Sequence, residues 1–214
     1  LNLLRRIDGE QGECGMHSWV GNTGTPASSA TIGDANDARL LSRVADGDRG
    51  AFELLYRGYF PRLTRFLNRM TRNLQLIEEI VNDTMLVVWS KAPSFDATCK
   101  VSTWVFAIAY RKARKAIDAF DDPVDAEPDL REAEPGCQPE LQFELLRRQQ
   151  AVDSALSVLP LEQRTVVQLT YFHDMGYADI ADIMGCPVNT VKTRMFHARR
   201  RLARLLANKL EVEA

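Results

Sequence analysis

From Asp37 onward apolar residues recur at three- and four-residue steps, and no stretch of useful length alternates between apolar and polar, which is the pattern of helices and not of strands. Asp48 is placed as the N-cap of a helix carrying Phe52, Leu55, Tyr56, Tyr59, Leu63, Phe66, Leu67 and Met70 on one face. Pro61 falls inside that helix and, having no N–H to donate, predicts a kink or a division there. A second helix is expected over 74–92, with Leu76, Ile80, Thr84, Val87 and Val88 turned inward and Pro93 ending it. A polar loop, 94–100, leads into a third helix over 102–120, apolar at first and then basic. A shorter helix over 40–45 completes this first unit. Pro123, Pro128, Pro135 and Pro139 then break the pattern, which resumes from Leu141 through Leu145, Val152, Leu156 and Leu159. Beyond Pro160 the periodicity predicts short helices over 161–172, 177–184 and 189–206. The expected fold is all-α: two small helical domains, 37–120 and 141–207, joined by an acidic flexible linker over 121–140, with a tail over 208–214.

Composition changes this picture only locally. The chain has 214 residues, 45% of them hydrophobic and 8% aromatic, as suits packed helices of soluble type. Its net charge of −2 conceals a strong asymmetry. Asp121 to Glu144 holds nine acidic residues against the single base Arg131, whereas Gly185 to Arg204 holds Lys192, Arg194, Arg199, Arg200, Arg201 and Arg204 with no acid. Residues 1–36 are rich in Gly, Ser, Thr and Asn and are expected to be a disordered tail. The first residue is Leu1, so an alternative start codon or a start at Met16 is an open reading. The longest strongly apolar stretch, Val101 to Tyr110, falls far short of the roughly 20 residues of a membrane span, so no stable membrane insertion is expected. The N-terminus has no signal-peptide core. Cys14, Cys99, Cys137 and Cys186 form no CxxC pair and have no histidine at ligand spacing, which suits a reducing cytoplasm and signals neither zinc nor disulfides. No metal or cofactor is implied.

The most specific local pattern is YADIADIMGCPVNTVKTRMFHARRRL, beginning at Tyr177. A helix-turn-helix needs a small residue where its helices touch, a glycine for the left-handed turn, and apolar residues on either side. Ala181, Gly185, Ile180 with Met184, and Val188 with Val191 occupy those places. The stripe Val191, Met195, Ala198, Leu202 and Leu205 sets the inner face of the second helix. Its outer face is then Asn189, Lys192, Thr193, Phe196, Arg199 and Arg200, flanked by Thr190 and Arg194. Residues of these types can reach base edges near the helix start and phosphates beyond it.

The segments DRGAFELLYRGYFPRLTRFL, LIEEIVNDTMLVVW and SFDATCKVSTWVFAIAYRKARKAID resemble the successive parts of conserved region two of the extracytoplasmic-function (ECF) subfamily of sigma-70 RNA polymerase sigma factors. LPLEQRTVVQLTYFHDMGYADIADIMG and the helix after it resemble their region four. Together the resemblance covers about Asp37 to Leu206. It implies a sigma factor that binds bacterial RNA polymerase core and directs promoter-specific initiation in a stress or envelope response. It assigns Gln75, Glu78, Glu79, Asn82, Asp83 and Leu86, an acidic patch with an apolar edge, to the clamp helices of the core, and implies the flap of the core as a further contact. Asp96, Thr98, Lys100, Ser102 and Thr103 correspond to the part that captures an unstacked base of the minus-ten element. Arg111, Lys112, Arg114 and Lys115 would hold the backbones of the strands being separated. Val101 stands where the family often has an aromatic residue, while Trp104 and Phe106 read as core. The helix-turn-helix is assigned to the minus-thirty-five element, the acidic linker to the channel that later receives RNA, and an anti-sigma factor is implied as a partner.

Other classes fit less of the chain. A conventional helix-turn-helix regulator would bind an operator without polymerase, and no dimerisation surface or sensor pocket is legible. An enzyme using Glu78, Glu79 and Asp83 as metal ligands would lack a histidine, since His17, His173 and His197 are scattered and no phosphate-cradling glycine loop occurs. A redox or metal switch through Cys99 or Cys186 competes with the simpler reading of Cys186 as a small core residue.

Overall fold

The computed structural model describes residues 30–119 and 152–212, and the side chains of 33–119 and 152–206. The elements are α1 (Ala30–Ala45), α2 (Arg49–Asn68), α3 (Leu74–Lys91), a 3-10 turn (Ala92–Ser94) and α4 (Val101–Ala119). They continue with α5 (152–157), α6 (Leu161–Tyr171), α7 (Tyr177–Met184) and α8 (Val188–Val212). No strand occurs among the described residues.

Asp48 caps α2 as expected, its carboxylate accepting the Ala51 N–H at 3.0 Å. Arg43 closes on the same carboxylate at 2.6 Å. These bonds, the one from the Ala51 N–H first, hold the Asp48 carboxyl below its ordinary pKa. The kink expected at Pro61 does not divide α2, which runs unbroken from Arg49 to Asn68. Pro61 lies on the exposed side, so the Arg57 carbonyl that its missing N–H leaves free faces solvent, where water can serve it. The buried stripe of α3 is Ile77, Ile80, Val81, Thr84, Met85 and Val88, with Leu76 and Val87 only half-buried at its edges.

At the N-terminus the helix reaches further than the sequence suggested. α1 begins at Ala30, inside the stretch read as a disordered tail, and Asp34 and Asp37 dock onto the body: Asp37 accepts the Tyr59 hydroxyl at 2.6 Å and Asp34 accepts that of Ser102 at 3.1 Å. Burial, with the charge of Asp37 next to it, raises the Tyr59 phenol pKa far above its ordinary value. α8 extends past residue 206 because ANKLEV contains no helix breaker. The acidic linker 121–140 and the helix start at 141–151 lie outside the described residues.

One hydrophobic core runs through both halves, from Leu41, Leu55, Phe66, Val81 and Phe106 to Leu159, Leu169, Ile180, Val191 and Ala198. Its centre is the first half of α4, where every residue from Val101 to Tyr110 is buried. An isolated bundle would leave one side of such a helix wet. Here α1, α2 and α3 cover one side and α7 covers another.

Candidate nucleic-acid and protein interfaces

The first surface belongs to α3. Asn73 caps it by accepting the Leu76 N–H at 3.1 Å, which fixes the rotation of the helix start. With the apolar stripe turned inward, Gln75, Glu78, Glu79, Asn82, Asp83 and Leu86 are all exposed on the other face. Leu86 is 64% exposed, an apolar knob beside three carboxylates. Two members are braced from behind: Asn82 accepts the Tyr56 hydroxyl at 2.8 Å, and Asp83 pairs with Lys112 at 2.9 Å. An acidic face with an apolar edge is suited to a basic helical partner.

The second surface is the loop before α4 and the start of that helix. Asp96 accepts both the N–H and the hydroxyl of Thr98, at 3.2 and 2.8 Å, and this local turn holds Ala97 at a positive φ of 54°. Asp96, Thr98 and Lys100 are exposed, whereas Ser102 and Thr103 are buried, at 7% and 0% exposure. Asp34 accepts the Ser102 hydroxyl, while the Asp179 carboxylate of α7 accepts Lys100 Nζ at 3.1 Å and Thr103 Oγ1 at 3.0 Å. The bond to Asp179 is the main reason that the Lys100 ammonium sits above its ordinary pKa. Farther along α4, Arg111, Lys112 and Arg114 are half-buried and Lys115 is exposed. Trp104 and Phe106 are buried core side chains, Trp104 packed on Phe95 with ring centroids 5.0 Å apart.

The third surface is the helix-turn-helix. Gly185 ends α7 in the left-handed region, φ 63° and ψ 38°, and its N–H and that of Cys186 both bond back to the Ala181 carbonyl. Val191, Met195 and Ala198 are buried beneath α8 as the sequence predicts, but Val188 is not: at the first position of α8 it is 38% exposed. Asn189, Lys192, Thr193, Phe196, Arg199 and Arg200 all face outward, Thr190 is half-buried, and Phe196 is 62% exposed. Arg199 Nε donates to the Tyr171 hydroxyl at 3.1 Å. Arg194 is turned away from this face, paired with Glu162 at 2.9 Å and donating to Cys186 Sγ at 3.4 Å. Burial raises the Cys186 thiol pKa, which opposes the thiolate a redox switch would need. Among the described residues no group of His, Cys, Asp and Glu could hold a metal ion.

Family models match the chain in two blocks, Sigma-70 region 2 over residues 55–120 and Sigma-70 region 4 over residues 149–202. The ECF RNA polymerase sigma factor SigM of Mycobacterium tuberculosis is 32% identical over 173 residues, covering 81% of this chain and 86% of the relative. The ECF RNA polymerase sigma factor RpoE of Cereibacter sphaeroides is 30% identical over 174 residues, covering 76% of this chain and 91% of the relative. The chain belongs to the ECF RNA polymerase sigma factors. The solved structure of the sigma factor RpoE in complex with the anti-sigma factor NepR from Bartonella quintana is 26% identical, with a TM-score of 0.57, covering 73% of this chain and 96% of that one.

As a sigma factor the chain binds RNA polymerase core and directs promoter-specific initiation of transcription. Region 2 takes in α3 and α4 with most of α2, and region 4 takes in α5 to α7 with most of α8, including the helix-turn-helix. Among the described residues no helix is long and apolar enough to cross a membrane. Sequence reasoning missed Glu162, His173 and Asp179, which tie the two regions of this sigma factor together, and Asp34, which pins α1 onto the start of α4. A hint existed for Asp179, an acid in the first turn of a short helix, but nothing local names partners in the loop before α4 and in its first turn.

Proposed function

We propose that this ECF sigma factor grips core polymerase through Gln75, Glu78, Glu79, Asn82, Asp83 and Leu86 of α3. It reads the upstream promoter element through Asn189, Thr190, Lys192, Thr193, Phe196, Arg199 and Arg200 of α8, with Arg194 joining once released from Glu162. Asp96, Thr98, Lys100, Ser102, Thr103, Arg111, Lys112, Arg114 and Lys115 engage the minus-ten element and its separated strands. The observation that carries this reading is the outer face of α8, which presents an amide, a hydroxyl, an aromatic ring and three cations side by side with no carboxylate among them. The acidic face of α3 supports the polymerase-binding half, since its groups are exposed while the adjoining stripe is buried.

The sigma factor itself contributes no catalytic group, acts in the cytoplasm, and serves a stress or envelope response under an anti-sigma factor. The likeness to an RpoE whose structure contains its anti-sigma factor supports that partner. The test is transcription from a mixed promoter library with purified bacterial core polymerase, followed by sequencing of the starts. Starts that require the sigma factor and share two spaced elements are expected, with Glu78→Lys/Glu79→Lys abolishing them through loss of core binding. Absence of such starts, together with tight duplex binding by the protein alone, would overturn the reading in favour of an operator-binding regulator.

A further inference from the structure

The two DNA-directed surfaces do not stand apart in this chain. Asp179 holds Lys100 and Thr103, both assigned above to the minus-ten element. Glu162 of α6 reaches in two directions, to Arg114 of region 2 at 3.4 Å and to Arg194 of region 4 at 2.9 Å. Two region 4 carboxylates therefore occupy four groups whose chemistry suits phosphate and an extruded base. Apolar contacts back these bonds. The His173 ring lies against Phe66 and Phe106 at centroid distances of 5.9 and 4.8 Å, and the Arg69 guanidinium covers the Phe172 ring at 3.7 Å. Arg164 Nη1 donates to the Arg69 carbonyl at 3.0 Å. DNA cannot reach Thr103 while α7 lies on α4, because that side chain has no exposed surface.

We infer that Asp179 and Glu162 are an internal stand-in for the DNA strand, which holds region 4 over the melting face of region 2 in the free sigma factor and must be displaced before the promoter is opened. The strand competes with Asp179 of α7 and Glu162 of α6 for Lys100, Thr103 and Arg114, so the free chain is closed to single-stranded DNA and the polymerase-bound chain is not. Carboxylates suit the role: they satisfy Lys100, Thr103, Arg114 and Arg194 in the closed state, yet the three ion pairs among these contacts are partly exposed to water, where such pairs exchange readily.

The inference rests on the minus-ten assignment above, and the test separates the two. The isosteric double variant Asp179→Asn/Glu162→Gln is compared with the unmodified full chain by small-angle scattering and by binding of a labelled mixed-sequence single-stranded DNA at about 50 mM salt. A larger radius of gyration and a DNA affinity raised at least about tenfold are expected. Lys100→Glu, which sets a third carboxylate against Asp179 and Asp34, must expand the chain as well. An unchanged radius in both variants overturns the latch, as does expansion without any gain in DNA binding. Adding Lys100→Ala and Arg114→Ala to the open variant tests the assignment separately. If the gained affinity survives their loss, the minus-ten assignment fails while the latch stands.

Discussion

Replacing Gly185 probes the helix-turn-helix at the point where its geometry is least forgiving. The residue sits at φ 63° and ψ 38°, and two successive N–H groups, its own and that of Cys186, converge on the Ala181 carbonyl. A residue with a β carbon cannot relax out of the left-handed region without breaking both bonds and swinging the start of α8. Gly185→Ala must therefore accept the conformation at a cost of about 1–2 kcal/mol. With a urea dependence of about 2 kcal/mol per molar, typical for chains of this size, the unfolding midpoint should fall by about 0.5–1 M. Gly185→Asn should lose clearly less, because a short polar side chain tolerates this region. Unfolding of the free sigma factor by urea, followed by circular dichroism, provides the measurement. The folded fraction of Gly185→Ala should still bind the upstream element in holoenzyme, since α8 keeps its outer face. A midpoint for Gly185→Ala equal to that of the unmodified chain would refute the tight left-handed turn as the joint of this motif.

Three further outcomes are expected. Burial, reinforced by Arg62, Arg65 and Arg69, lowers the His173 pKa to about 4, so the unfolded chain binds this proton first. Stability should be level above about pH 6.5 and fall as the pH drops toward about 4, and His173→Phe should remove that part of the slope in urea titrations at several pH values. Asp48, lowered in the folded state, contributes stability above its unfolded pKa that is lost only at still lower pH. Gln168 is 1% exposed and neither atom of its amide has a described partner, so Gln168→Leu should raise stability by about 1 kcal/mol in the same assay, and a loss would show the amide to be satisfied. Lys192→Ala and Arg200→Ala should each reduce the salt dependence of holoenzyme binding to promoter duplex by about one ion, whereas Asn189→Ala should relax sequence preference instead. Unchanged salt slopes would remove those two side chains from the phosphate contacts.

Much of the local structure was legible because it depends on neighbours in sequence. The Asp48 cap, the bounds of the 177–184 helix, the left-handed Gly185 and the buried stripe of α8 follow from spacing and backbone chemistry that act within a turn or two. The exposed acidic face of α3 was legible for the same reason: once Ile80, Thr84 and Val88 turn inward, Glu79, Asp83 and Leu86 have nowhere else to point. The sequence left open whether Pro61 divides its helix, because the cost of a proline depends on which side of the helix its vacant carbonyl faces, and burial decides that. The N-terminal limit of α1 was hidden in a stretch of weak periodicity, where Asp34 and Asp37 find partners on α2 and α4 that lie far off in sequence.

An all-helical chain, a helix-turn-helix with a cationic outer face and the resemblance to the ECF sigma factors could all be read along the chain, because they rest on short-range periodicity and on motifs. The burial of Thr103, the turn of Arg194 away from the recognition face, and the bridging of the two regions by Asp179 and Glu162 follow from the packing of distant helices. Residues 103 and 179, or 114 and 162, meet because two hydrophobic faces are buried together, and a pairing that depends on the packing of distant helices leaves no periodic trace along the chain.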